Sequence, residues 1–311
     1  MENQMKNVID KSYEIKVLVG VFYDIQKIRV QTFSRIVNFV KVNKDKLVEM
    51  LKSYSQVLFE SHNGNASHSA FETHYKNASQ REFEIHIERA LKYLEEKDYA
   101  NFSKKYVIEQ TKLLEIEEFR KFVSQIEDLI WVFIRLYETE KELGKKLDNW
   151  SKNHVVRVNF LNGVRGIGAI LSSGLIAIIE DISRFPTISK LWKYFGLAPG
   201  QKRVKGKKLD YNPRARELAW KIWNSFVKFD CFGRKVYLES KEYCAKKHKD
   251  WNKKHIHNWA GRRTVKIFLS CLWAKWRELE GLPTTKPYVI QFLGHSDLIT
   301  WRDWIEKELR E

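Results

Sequence analysis

A chain of 311 residues with a formal net charge of +17 exceeds the usual span of one domain, so two regions are expected. Three cysteines, Cys231, Cys244 and Cys271, exclude a disulfide scaffold. The longest apolar run, from Ala169 to Ile179, is too short to cross a bilayer, and the first residues carry no signal-peptide pattern. The expectation is a soluble cytoplasmic or nucleoid-associated protein with no membrane partner.

Helical periodicity runs through the sequence and no strand-turn-strand series interrupts it, which predicts an all-α fold. From Tyr13 to Val42 the residues Val17, Val21, Ile25, Ile28 and Ile36 recur at helical steps. SHNGNASHS, Ser61 to Ser69, reads as a loop. Ile116, Phe119, Val123, Ile126, Ile130, Phe133 and Tyr137 then alternate steps of three and four, a heptad-like seam. Such a seam serves either a coiled coil joining two copies of the chain through residues 116–137 or a long helix packed on residues 13–60. Trp131 and Leu136 widen the stripe and favour the second reading.

Charge divides the chain near the polar run KKLDNWSKNH, Lys145 to His154. Residues 1–150 hold 24 basic and 24 acidic side chains, whereas residues 151–311 hold 32 and 15. The expected regions are therefore a charge-balanced helical part, 1–152, and a basic part, 153–311. A general lysine-rich surface would spread the excess over both, so its confinement to one half points to a polyanion.

Within the basic half, Gly163, Gly166 and Gly168 punctuate a turn anchored by Val164 and Ile167, and Ala169 to Ile179 reads as a buried helix. A Gly-Ile-Gly turn opening a helix aims unpaired N–H groups at the positive end of the dipole, a setting suited to phosphate. That is the logic of a helix-hairpin-helix, which holds nucleic-acid backbone without reading bases. QKRVKGKK, from Gln201 to Lys208, and KKHKDWNKK, from Lys246 to Lys254, supply clustered cations. Asn212-Pro213 signals a helix start, with Leu218, Ile222 and Phe226 on one face beyond it, and a further helix is expected from Asn258 to Leu279. Tryptophans three apart (Trp220/Trp223, Trp273/Trp276, Trp301/Trp304) fit a core better than base stacking. Cys231, Cys244, His248, His255 and His257 lack the close cysteine pair of ordinary structural zinc sites. The Glu180, Asp181 and Asp210 carboxylates are a weak metal pattern, since neighbours on a helix do not face one point.

Three landmarks in order, Gly166-Ile167-Gly168, Asp181-Ile182-Ser183-Arg184-Phe185 and Tyr194-Phe195-Gly196-Leu197-Ala198-Pro199, resemble the C-terminal domain of insertion-sequence 110/116/902 family transposases. HIHNWAGRRTVKIFLSCLWAKWRELEGLP resembles archaeal and viral relatives of that domain. The resemblance implies a recombinase of two parts, a RuvC-type nuclease fold with a carboxylate tetrad around divalent metal and a C-terminal domain with a nucleophilic serine. Residues 1–150 offer no alternating strands for the first, and Asp10, Asp24, Asp128 and Asp148 lie in helical or polar stretches. In the family the serine occupies a Ser-Gly-x-Lys segment; here Val204-Lys205-Gly206-Lys207 stands in its place. Tyr211, Ser225, Ser172 and Ser173 are the nearby hydroxyls, and Tyr211 is the candidate replacement nucleophile, though no activating base accompanies it.

The sequence thus reads as a transposase-related, DNA-binding protein of mobile-element or DNA-recombination origin that grips duplex or branched DNA by its backbone, without catalysis and without a cofactor. Gly163, Arg165, Gly166 and Gly168 form the grip, and Lys202, Arg203, Lys205, Lys207, Lys208, Arg214, Arg216, Arg262 and Arg263 extend it. The alternatives are an active recombinase or nuclease, which would need Mg²⁺, and an RNA-binding component of an RNA-guided transposition system.

Overall fold

The computed structural model describes residues 2–63, 70–109, 112–200, 205–206, 208–285 and 299–306. Among them helices and turns are the only regular structure, as the periodicity predicts. Two compact units form, one from residues 23–141 and one from residues 1–22 together with 142–311. Compactness therefore divides the chain differently from charge, whose boundary near 152 falls just past the end of a helix.

The first unit comprises the later part of α1 (Glu2–Val42), then α2 (Lys44–Asn63), α3 (Ala70–Glu95), α4 (Tyr99–Phe102), a π-helical turn (Ser103–Ile108), a 3-10 turn (Lys112–Glu115), α5 (Glu117–Ser124) and the start of α6 (Glu127–Ser151). Ile36, Val40, Leu47, Leu51, Ile87, Phe102, Tyr106 and Phe119 share its core. Burial pushes the Tyr106 phenol up to about 12.

The heptad-like pattern is not one helix, because the chain turns at Gln125 and Ile126 between α5 and α6. Ile116, Phe119, Val123 and Ile130 are buried against residues of α1, α2 and α3 in the same chain, so this face is not free to join a second copy. Trp131 does not widen the buried stripe: it is 59% exposed. The register of α1 also differs from expectation. Val21 and Ile28 are exposed, while Ile15, Val19, Phe22, Ile36 and Val40 face inward. α2 continues through Asn63, into the stretch expected to be loop; residues 64–69 lie outside the described residues, as does Gly294-His295, read as a helix end.

The second unit contains the rest of α6, α7 (Val155–Asn159), a 3-10 turn (Leu161–Gly163), α8 (Ala169–Ile179), a 3-10 turn (Ile182–Arg184), α9 (Ile188–Tyr194), α10 (Pro213–Lys228), α11 (Phe232–Lys247), α12 (Lys253–Leu279) and α13 (Trp301–Glu306). α8 is buried from Leu171 to Ile179. α12 begins five residues before the expected Asn258 because Asn252 caps it, accepting from the His255 amide at 2.8 Å. It packs on α7, α9, α10, α11 and α13. Trp223, Trp273, Trp276 and Trp304 are buried, whereas Trp220 is exposed. The Trp273 indole donates to Phe185 O at 2.7 Å. Buried Arg277 donates to Pro283 O, Ile182 O and Phe185 O.

His154 caps α7, its Nδ1 accepting from the Val156 amide at 3.3 Å. Burial holds its pKa below the ordinary histidine value, against a smaller opposing pull from Glu280. A depressed folded-state pKa gives stability that is present above the unfolded value near 6.5 and is lost as pH falls through the folded one. The unfolding free energy should therefore fall between about pH 7 and pH 5, by at most about 1.4 kcal/mol per pH unit from this group, and thermal midpoints should drop with it. His154→Asn, which keeps a capping acceptor without the titration, should flatten that dependence.

Candidate nucleic-acid interface

The glycine turn forms as its sequence predicts, and each glycine has its own reason. Gly166 adopts φ +93°, and a Cβ there would lie 3.2 Å from the Phe226 ring; its carbonyl accepts from Ser225 Oγ at 2.6 Å. A side chain at 166 would meet both strain and α10. Gly163 packs under Ile305 and spends its amide on Phe160 O at 3.0 Å. Gly168 differs. It is exposed, has φ −84°, and a Cβ there would meet nothing within 4 Å.

Gly168 is the N-cap of α8 and offers no side-chain cap. The first i→i−4 bond runs from the Ser172 amide to Gly168 O. The amides of Ala169, Ile170 and Leu171 precede it and point along the positive end of the helix. Arg165 is exposed three residues before. The turn is braced by Arg157, itself buried, which donates to Asn162 Oδ1 at 3.2 Å and to Ser151 Oγ at 2.5 Å and pairs with the Asp148 carboxylate. Ser173 shares this network through Ser151 at 2.8 Å. Ser172 is buried. Both hydroxyls are thus enclosed by the fold.

The other landmarks of the motif are joints between helices. Asp181 accepts from the Ser183 amide and hydroxyl and caps the 3-10 turn. Glu180 pairs with Lys16 and Arg184, so its carboxylate is already neutralised. Gly196 has φ +66°; its amide donates to Lys193 O and that of Leu197 to Trp192 O, a Schellman stop for α9. Asn212 caps α10 by accepting from the Arg214 and Ala215 amides, and its Nδ2 donates to Tyr194 Oη at 2.7 Å. Tyr194 in turn donates to Ile178 O. α8, α9 and α10 thus meet at Tyr194.

Those of the expected cations that are described are spread over α10, α12 and the segment before α10. Lys205 and Lys208 are exposed near Gly206, and Arg214 is exposed on the first turn of α10; Lys202, Arg203 and Lys207 lie outside the described residues. Arg262 and Arg263 diverge around α12. Arg263 lies over Tyr243 and Trp259 on the α11 side, at 5.3 and 5.8 Å. Arg262 is exposed on α12. Tyr211 is partly buried, its ring covered by the Arg216 guanidinium at 4.9 Å. Lys266, one turn after Arg262, covers the ring of Trp192 at 4.3 Å, and neither residue is in the expected set. The i, i+4 spacing on a predicted helix was the available signal.

Among the described residues no three histidine, cysteine, aspartate or glutamate side chains gather as a metal site. His248 and His255 stack on opposite sides of Trp251 at 4.0 Å each, His257 bonds Tyr237 Oη at 2.6 Å, and Cys231, Cys244 and Cys271 are buried. Burial pushes the Cys271 thiol up to about 12. No helix among the described residues is long and apolar enough to cross a membrane.

Residues 158–222 match the model of the Transposase IS116/IS110/IS902 family. That match covers the glycine turn, α8, α9 and the start of α10, and it supports the C-terminal transposase domain of that family in this part of the chain. No curated protein and no solved structure matches the chain.

Proposed function

We propose that this transposase-related chain binds DNA, duplex or branched, through its phosphate backbone, and that it acts by binding rather than by strand chemistry. The observation that carries the reading is the uncapped, exposed start of α8 beside Arg165, within the transposase-family segment. A phosphate there accepts from amides that the fold leaves without partners. The helix-hairpin-helix grip then continues onto Lys205, Lys208 and Arg214 and onto Lys202, Arg203 and Lys207. Binding is preferred to catalysis at Tyr211 because the sequence assigns it no activating base.

The test is binding to duplex DNA, a four-way junction, single-stranded DNA and structured RNA across a salt series with Mg²⁺ present. Tight binding to DNA, a steep salt dependence and intact substrate are expected. Cleavage abolished by Tyr211→Phe would instead establish a nuclease or recombinase, and preference for structured RNA would make the chain an RNA-binding component. Changing Lys205 and Lys207 together to Ala should weaken binding to every sequence alike and reduce the salt slope by about two. An unchanged slope would remove that loop from the interface.

A further inference from the structure

Arg216 of α10 passes over Gly196 at the end of α9, and Lys266 of α12, one turn after Arg262, covers Trp192 of α9, so three positive charges gather around α9; among the described residues no carboxylate pairs with any of them. The neighbouring acid, Glu217, pairs with Lys221. Two of the three cations are held in place, and Arg262 stands exposed one turn before Lys266. Arg216 lies on the Tyr211 ring at 4.9 Å, and its side chain passes over Gly196, where a Cβ would come within 3.0 Å of Arg216 Cδ. Lys266 lies on Trp192 at 4.3 Å, and the Trp192 indole donates to Lys266 O at 3.1 Å, locking that ring against α12. Burial, then the charge of Arg216, lowers the Arg262 pKa; burial, then the charge of Arg262, lowers that of Lys266. Like charges crowded without a counter-ion cost stability, the more so at the half-buried Arg216 and Lys266, and an anion seated among them recovers it.

We propose that Arg216, Arg262 and Lys266, framed by Tyr211 and Trp192, form a binding site for a phosphoryl dianion, distinct from the amide grip at α8. A bridging phosphodiester brings one negative charge, whereas a terminal phosphomonoester or free phosphate brings nearly two at neutral pH. Three cations, two of them held against aromatic rings, match the dianion better. The guanidinium edges and the ammonium supply charge-assisted donors, and Tyr211 and Trp192 set the orientation of Arg216 and Lys266. On the reading above, the polynucleotide source is the phosphorylated end of a strand, so the site would distinguish a broken DNA end from continuous duplex. That end preference rests on the proposed DNA binding; the anion site itself does not.

Two measurements separate these steps. In thermal melts at fixed ionic strength, about 10 mM inorganic phosphate should raise the midpoint of the full chain by roughly 4 °C relative to chloride for a dissociation constant on the order of 1 mM. Arg262→Gln and Lys266→Met should melt no lower than the parent in chloride, because each relieves repulsion, and should lose the phosphate response. Short duplexes ending in 5′-phosphate should bind about tenfold more tightly than hydroxyl-ended ones, the effect of one charge-assisted hydrogen bond. That ratio should fall to about one in both variants while hydroxyl-ended binding changes less. A phosphate-dependent melt without binding to any duplex would keep the site and remove its strand-end source along with the DNA reading. Steeply salt-dependent DNA binding with no phosphate response and no end preference would overturn the site and leave the DNA reading standing. A response that persists in both variants would also overturn it.

Discussion

Gly168→Asp is expected to separate folding from binding: the variant should be as stable as the parent or more so, yet bind DNA at least about tenfold more weakly. Stability and affinity move in opposite directions because one place serves both. Gly168 is the N-cap of α8, with ordinary φ and open space where a Cβ would stand. An aspartate fits without strain, and its carboxylate can accept from the first-turn amides, which is worth a few tenths to about 1 kcal/mol as cap and dipole partner. The same carboxylate then occupies the proposed phosphate position and repels what approaches it. Melting curves and a DNA titration across salt, run on one preparation, check both halves. The salt slope should fall by about one with the lost phosphate contact. Parental affinity in a well-folded Gly168→Asp protein would move the DNA contact elsewhere on the chain.

What was legible in the sequence was local. α8 spans Ala169–Ile179, the bounds that its apolar run and the preceding glycines indicate, and α10 starts at Asn212-Pro213 because a side-chain acceptor and a missing N–H act within one turn. The face of α1 was less legible. Val21 and Ile28 satisfy helical spacing as well as Val19 and Phe22 do, and only tertiary packing chooses between the registers. The break at Gln125-Ile126 carries neither glycine nor proline, so nothing in the residues punctuates the heptad pattern there. In the candidate site, residues near in sequence were found and those brought in by packing were not. Lys266 stands one turn after Arg262 on the expected helix, between Val265 and Ile267, so its neighbours in sequence do not mark it as part of a charged cluster. Trp192 becomes part of the site only because α9 packs on α12, 74 residues away in sequence from the carbonyl it bonds.

That packing is tightest at Gly261, where the largest effect on stability is expected. α12 passes Trp223 of α10 so closely that a Cβ on Gly261 would lie 2.4 Å from Trp223 Cδ2 and 2.6 Å from Cε3. The indole has nowhere to retreat: it is buried, stacks on Tyr237 with planes 15° apart, and meets the edge of His257 at 4.9 Å. Tyr237 is itself bonded to His257 Nδ1 at 2.6 Å. Gly261→Ala must therefore push α12 off α10, at about 3 kcal/mol or more, a midpoint lower by roughly 10 °C for a unit of this size. Helix propensity alone predicts the opposite sign, since alanine is favoured over glycine within a helix by about 1 kcal/mol. Gly20→Ala is the internal comparison, because a Cβ there, inside α1, meets nothing within 4 Å. It should gain a fraction of that propensity. Trimming the obstacle tests the cause: Trp223→Leu should cost less in the Gly261→Ala background than in the parent, a coupling measurable by a double-mutant cycle. Additive costs would mean that Trp223 is not what Gly261 makes room for, and with it would go the close α10–α12 approach that brings Arg216 towards Arg262.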